Sequence, residues 1–278
     1  MRAFRLAYDG TEFHGYQRQP DVDTVEGALF RALAHLDITD GSPPPGYSAA
    51  GRTDAGVSAL AQTISVDGPS WLSPAAMNGA LPTSIRVWAG ADAPPEFHAT
   101  RDATAREYTY FLHAPTLPRD RLAAALARFE GTYDFGNFTP DDGRTERTVR
   151  STDVSRMGEM VVLRIRGDSF CRHQVRRMVS LVSAIAAGDR DPSAIATLLG
   201  PEPVDGPAGV GPAPAEPLVL TAVEYPTLAF EPSPAAARGA RSAFSRRRIE
   251  LATKMEVMRA IQAGIGDTVR WRRIDSDR

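Results

Sequence analysis

Apolar residues that recur at every second position, in short segments separated by helical stripes, constrain this chain more than any other feature. From Met160 to Arg166, Val161, Leu163 and Ile165 oppose Val162, Arg164 and Arg166, and from residue 3 to 8, Phe4, Leu6 and Tyr8 oppose Arg5 and Ala7. A period of two marks strands with one face in a core. Tyr108–Leu112 has Tyr108, Tyr110 and Leu112 on one face; Thr63–Val66, Ile85–Trp88 and Leu218–Tyr225 complete the strand expectations. Between them lie helical stripes. Thr24 is expected to cap a helix carrying Val25, Leu29, Ala32, Leu33 and Leu36, and Ser73-Pro74 opens a short one. Asp120 is expected to cap a helix with Leu122, Leu126 and Phe129, residues 172–187 present Val175, Met178, Val179, Val182 and Ile185 on one side, and Asp191-Pro192 opens one more.

This rhythm occurs twice, which predicts an α+β fold of two similar halves with mainly antiparallel sheets and helices packed against them. The loop-like stretch 89–98, with Pro94-Pro95 in its middle, places a boundary near 100. The expected units are then 1–100, 101–230 and a basic C-terminal extension at 231–278. The extension is expected to be an Ala-, Pro- and Arg-rich linker followed by a helix near 246–263 and Trp271-Arg272-Arg273.

Composition excludes several classes. The chain has 278 residues, 42% apolar and 24% charged, enough for a sizeable core. No stretch approaches 18 apolar residues without a charge, so no transmembrane helix is expected. The N-terminus shows no apolar signal region, and there is one cysteine, Cys171, which excludes an internal disulfide; both point to the cytoplasm. The five histidines show no His-x-x-x-His spacing, so no metal site is expected, and each is read as a surface or structural residue. The one lysine, Lys254, follows Thr253, which rules out a P-loop, and the Gly-x-Gly-x-x-Gly and Gly-x-Ser-x-Gly motifs are missing.

Charge is uneven. The net value is −2, yet residues 231–278 hold 11 Lys or Arg against 6 Asp or Glu, and residues 144–177 hold nine Arg against four acids. Apart from Lys254 the other 31 basic residues are Arg, which a GC-rich genome explains; arginine also forks onto phosphate where lysine cannot, so the bias does not weaken a nucleic-acid reading. The extension is either an accessory RNA-binding element or a structural helix packed on the second half.

Three segments carry chemistry. Gly51-Arg52-Thr53-Asp54-Ala55-Gly56-Val57 places an arginine and a carboxylate between glycines. Asp54 is a turn former, or a nucleophile, base or electrostatic stabiliser; Arg52 contacts phosphate or pairs with Asp54. Tyr108 in Arg106-Glu107-Tyr108-Thr109-Tyr110 is a core tyrosine or a ring on which a base stacks. Phe170-Cys171-Arg172-His173-Gln174-Val175-Arg176-Arg177 opens an apolar helix with three arginines, either a solvated face or one that turns an arginine inward to the carboxylate.

These segments, in this order, resemble the tRNA pseudouridine synthase A (TruA-like) family. Tyr8-Asp9-Gly10-Thr11-Glu12-Phe13-His14-Gly15-Tyr16-Gln17-Arg18-Gln19 is similar to the family's opening strand and loop, and Leu218–Pro226 to its final strand. The resemblance spans about 1–226. It implies isomerisation of uridine to pseudouridine at positions 38 to 40 of the tRNA anticodon stem-loop, without metal or organic cofactor. It also implies a homodimer, with two halves joined around a basic central cleft and helices on the outer faces. Asp54 matches the catalytic aspartate and Arg176 the arginine paired with it. Tyr108 would stack on the uracil, Arg52 would fill the place of the flipped base or hold phosphate, and Leu218 and Leu220 would wall the pocket. Ser58 departs from the histidine common in bacterial relatives. Two other classes compete: a catalytically silent tRNA-binding protein of the same fold, and an enzyme acting on free nucleosides. The intact Asp54 motif speaks against the first and the Arg-rich 144–177 segment against the second.

Overall fold

The computed structural model describes residues 1–204 and 209–265. The described strands form one sheet in the order β10 (Glu231–Pro232), β4 (Ile85–Asp92), β1 (Arg2–Tyr8), β3 (Ser58–Val66), β9 (Leu218–Glu224), β5 (Ala105–His113), β8 (Met160–Gly167), β7 (Glu146–Met157) and β6 (Gly131–Asp134). The short β2 (Ser48–Ala49) pairs with β3 beside this path. The β3–β9 pair is parallel, and the other described pairs are antiparallel. The helices are α1 (Val25–His35), α2 (Pro74–Ala80), α3 (Arg119–Ala127), α4 (Gln174–Ala187), α5 (Ala194–Leu198) and α6 (Pro234–Gly264). This is the mixed, mainly antiparallel α+β class that the two hydrophobic periods predict.

Local chemistry accounts for most element starts. The Thr24 hydroxyl accepts from the Gly27 amide at 3.2 Å and Ser73 from the Ala76 amide at 3.3 Å, so both expected caps form. Asp120 does not cap α3. It lies inside the first turn, behind Pro118, whose fixed φ of −65° already sets the entry to the helix. Helix α4 starts at Gln174 rather than 172, because His173 takes a left-handed conformation. Strand β4 runs on to Asp92, into the stretch expected as loop, since its whole length pairs with β1.

The buried side chains form two clusters. One gathers α1 and α2 on β1, β3 and β4, with Phe4, Leu6, Leu29, Leu33 and Ile64 at its centre. The other gathers α3, α4 and α5 on β5, β7 and β8, with Leu122, Phe129, Leu163, Met178 and Val182. The sheet is continuous between them. Strand β9 gives Leu220 and Val223 to the first cluster and Leu218 to the second.

The C-terminal extension differs from its expectation. Residues 231–245 are not a linker: β10 pairs with β4, and α6 begins at Pro234. Ala236, Ala240 and Ala243 are buried, and α6 packs against β4 and α2 rather than on the second half. Arg247 reaches Asp9 at 3.0 Å. Beyond it the helix from Ile249 to Gly264 is exposed. Trp271, Arg272 and Arg273 lie outside the described residues.

This packing yields a prediction. A chain ending at Arg248 keeps the buried alanines and is expected to melt close to the full chain. A chain ending at Phe230 uncovers β4 and is expected to melt lower, by about 2–4 °C for each kcal/mol lost in a protein near this size. Equal thermal denaturation midpoints for the two truncations would contradict the packing role.

Candidate active site

The loop from Gly51 to Val57 joins β2 to β3 and carries Asp54. Its shape is held from several sides. The buried Tyr8 hydroxyl lies 2.8 Å from the Thr53 hydroxyl, and the Tyr16 amide donates to the Thr53 carbonyl at 3.0 Å. Gln62, wholly buried, donates to the Gly51 carbonyl at 2.7 Å. Gly10 brings the first loop against the motif so closely that a Cβ there would fall 2.0 Å from the Val57 carbonyl oxygen. The Gly10 amide donates to the Ser58 hydroxyl at 3.0 Å, which gives Ser58 a structural task.

A buried arginine ties this loop to two others. Arg106, 8% exposed, donates to the carbonyls of Ala50 at 2.9 Å, Thr100 at 2.7 Å and Asp168 at 2.7 Å. A buried guanidinium is tolerated only with such partners. Arg106 therefore clamps the segment leading into Gly51.

Asp54 meets Arg176, which projects from the first turn of α4. Arg176 Nη1 donates to Asp54 Oδ2 at 2.8 Å, and its Nε donates to the Ala213 carbonyl at 2.7 Å, so both ends of the guanidinium are fixed. The two side chains are 22% and 14% exposed, which removes most of the solvent screening from the pair. The arginine turned inward is thus Arg176. His173 also faces the carboxylate, with Nε2 3.5 Å from Asp54 Oδ2. Burial lowers the His173 pKa, Asp54 raises it, and Arg176, Arg172 and Arg177 lower it further.

Tyr108 lies on β5, half-buried, with the Phe170 ring edge-on at 5.4 Å. Burial pushes its hydroxyl up to about 12; Arg106 opposes this shift and Asp54 adds to it. Its strand partner across β9 is Leu220.

These groups open into a cavity of about 1070 Å³. Asp54, Arg52, Tyr108, Phe170, Arg176 and Leu218 all line it. Arg52 is exposed at this wall and has no ion pair among the described residues, so it does not pair with Asp54. Leu220 does not line the cavity. It is 1% exposed in the core behind Tyr108, one layer deeper than the expected wall position. Among the described residues, no three His, Cys, Asp or Glu side chains are grouped to hold a metal ion, and no helix is long and apolar enough to cross a membrane. Three contributors had no assigned task in the sequence: His173, whose isolation suggested a structural residue; Arg106, visible only as part of a motif; and Phe170, the support of Tyr108.

A carboxylate with a fixed counter-cation, set in a cavity beside an aromatic face, can stabilise or trap a positively charged carbon while a planar ring is held. The family model described as tRNA pseudouridine synthase matches residues 125–226, which include Arg176 and Leu218. The tRNA pseudouridine synthase A of Haloarcula marismortui is 50% identical over 276 residues, covering 95% of this chain and all of that protein. The protein of the same name from Halobacterium salinarum is 56% identical over 246 residues, covering 87% of this chain and 91% of the relative. The one from Methanosarcina barkeri is 40% identical over 227 residues, covering 80% and 84%. With identity of this level across nearly the whole length of both proteins, the chain belongs to the tRNA pseudouridine synthase A family.

Proposed function

We propose that this protein isomerises uridine to pseudouridine in tRNA, at positions 38 to 40 of the anticodon stem-loop, with Asp54 as the catalytic residue. The observation that carries the reading is the Asp54–Arg176 pair, 2.8 Å apart, facing a cavity large enough for a flipped nucleotide. The target base leaves its stack at a cost of roughly a few kcal/mol. Its uracil lies on Tyr108, with Leu218 at the cavity wall. Arg52, exposed and without a carboxylate partner, fills the vacated place in the stem or holds a phosphate. Asp54 then attacks the ribose C1′ or removes a proton from C2′; either route breaks the N1–C1′ bond, lets the uracil turn, and joins C5 to the sugar. No metal or organic cofactor enters this scheme, and the active form is a homodimer, as the family resemblance implies. A silent tRNA-binding protein would have no use for a carboxylate held this tightly in a nucleotide-sized cavity.

The direct test is incubation with unmodified tRNA transcripts followed by chemical mapping of pseudouridine. Product is expected at positions 38, 39 or 40; product confined to another part of the tRNA would overturn the positional reading.

Asp54→Asn is expected to abolish turnover while the tRNA dissociation constant stays within several-fold, because phosphate contacts dominate affinity. Single-turnover assays and filter binding on the same preparation separate the two quantities.

Tyr108→Phe keeps the stacking face and loses the hydroxyl. Tyr108→Ala loses both, and is expected to cost about 1–3 kcal/mol in kcat/KM beyond the Phe variant. Equal kcat/KM for the two variants would reduce Tyr108 to a core residue.

A further inference from the structure

Conversion of uridine to its C-glycoside does more than exchange N1 for C5 at the sugar. Once C5 bonds to C1′, it carries both the sugar and its original hydrogen, and the ring has lost its 5,6 double bond. That hydrogen must leave as a proton, and N1 must gain one. Of the residues assigned so far only Asp54 is a base, and its part at the ribose leaves the C5 proton without an acceptor of its own. Arg52 and Arg176 are cations without a lone pair. Tyr108, pushed up to about 12 by burial, remains a neutral phenol. Asp54 holds Arg176 at 2.8 Å.

His173 lines the same cavity. Its backbone sits at φ 64°, the left-handed region that non-glycine residues seldom enter and that often marks a functional constraint. The position is the N-cap of α4, yet the imidazole makes no capping bond. Gln174 serves the turn instead, its Oε1 accepting from the Cys171 amide at 2.8 Å. The side chain is turned to Asp54, with Nε2 3.5 Å from the carboxylate.

Resting on the tRNA pseudouridine synthase reading, we propose that His173 is the base that removes the C5 proton. The neutral ring carries its own proton on Nδ1 and takes the C5 proton at Nε2. The C5–H electron pair becomes the C5–C6 double bond, and the C6–N1 π pair moves onto N1. N1 then takes a proton from the imidazolium or from water, so charge and hydrogen balance. The groups around His173 suit both states. Burial together with Arg172, Arg176 and Arg177 keeps the resting imidazole neutral, and Asp54 stabilises the imidazolium once it forms.

The test uses the full chain and tRNA transcripts made with ordinary uridine or with 5-deuterouridine. His173→Asn and His173→Gly suit the left-handed backbone, so both variants are expected to keep the fold and the wild-type melting temperature. His173→Asn is expected to slow single turnover by about 100-fold, the ordinary worth of a general base. It is also expected to show a primary deuterium isotope effect that the unsubstituted protein lacks. Added imidazole is expected to restore rate to His173→Gly, increasingly so as pH rises through about 6.5, where the free base accumulates. An unchanged rate in His173→Asn, or a slower rate without an isotope effect, overturns the assignment while leaving the parent reading intact. If the unsubstituted protein forms no pseudouridine, the parent reading fails and takes this inference with it.

Discussion

The site depends on the place of one strand. β9 is inserted between β3 and β5, parallel to the first and antiparallel to the second. Its register puts Ala59, Leu220 and Tyr108 in line across three strands. The end of the Asp54 loop and the Tyr108 ring are therefore positioned by the same backbone ladder. A slip of one residue would turn Leu220 outward and Leu218 with it, because side chains alternate with period two. Burial prevents that slip. Leu218, Leu220 and Val223 are all in the core, and each such side chain contributes roughly 1.5–3 kcal/mol. Strands β8 and β9 flank β5 and, each antiparallel to it, run in the same direction, so the chain between them crosses over and carries α4 and α5. The crossover that closes the sheet is thus also the element that delivers Arg176 and His173 to Asp54.

Rigidity on the opposite side of the cavity comes from polar groups. Arg106 draws the carbonyls of Ala50, Thr100, Ala103 and Asp168 onto one guanidinium, and Gln62, Tyr8 and Tyr16 fix the motif between Gly51 and Thr53. The buried polar groups in this network are satisfied by one another, which is how a loop can hold its geometry inside a protein where water does not compete. Asp54 is consequently placed by the frame around it before any substrate arrives, the condition under which electrostatic stabilisation of a transition state is most effective.

The legible parts of the sequence were those whose signal is local. Strands β1 and β8 show alternation because their larger apolar side chains enter the core on one face, while Arg5, Arg164 and Arg166 on the other keep some exposure. The Thr24 and Ser73 caps follow from single side chains. Strand β7 escaped notice because much of it is polar and exposed; Val149 and Val154 are its fully buried apolar residues, and its pairing with β8 holds the rest. The start of α6 was hidden because alanines at 236, 240 and 243 carry little hydrophobic contrast, although their i, i+4, i+7 spacing matches a packed helix face. At the site, the family resemblance put forward Asp54, Arg52, Tyr108, Arg176 and Leu218, and all five line one cavity. Leu220 was placed one layer too far out, since alternation shows which residues are inward but not how deep. His173 could not be assigned a task from sequence: a lone histidine has no periodic partner, and its neighbour Asp54 arrives from the far half of the chain.

Charge shows why counting is a poor guide to RNA contact. The arginine excess in residues 144–177 reads as a basic patch, yet in three dimensions much of it is paired. Arg150 meets Asp168, Arg164 meets Asp153 at 2.9 Å, and Arg166 grips Glu224 with two bonds of 2.9 and 2.6 Å. Arg172 lies 3.7 Å from Asp141 at the cavity edge. Exposed pairs of this kind contribute about 0–1 kcal/mol. Pairs this weak hold the arginines in place at little cost to any anion that would displace the carboxylates. Arg52 needs no such exchange. Its guanidinium stands on the wall of the cavity that Asp54 also lines, so a protein of net charge −2 still presents an open cation there.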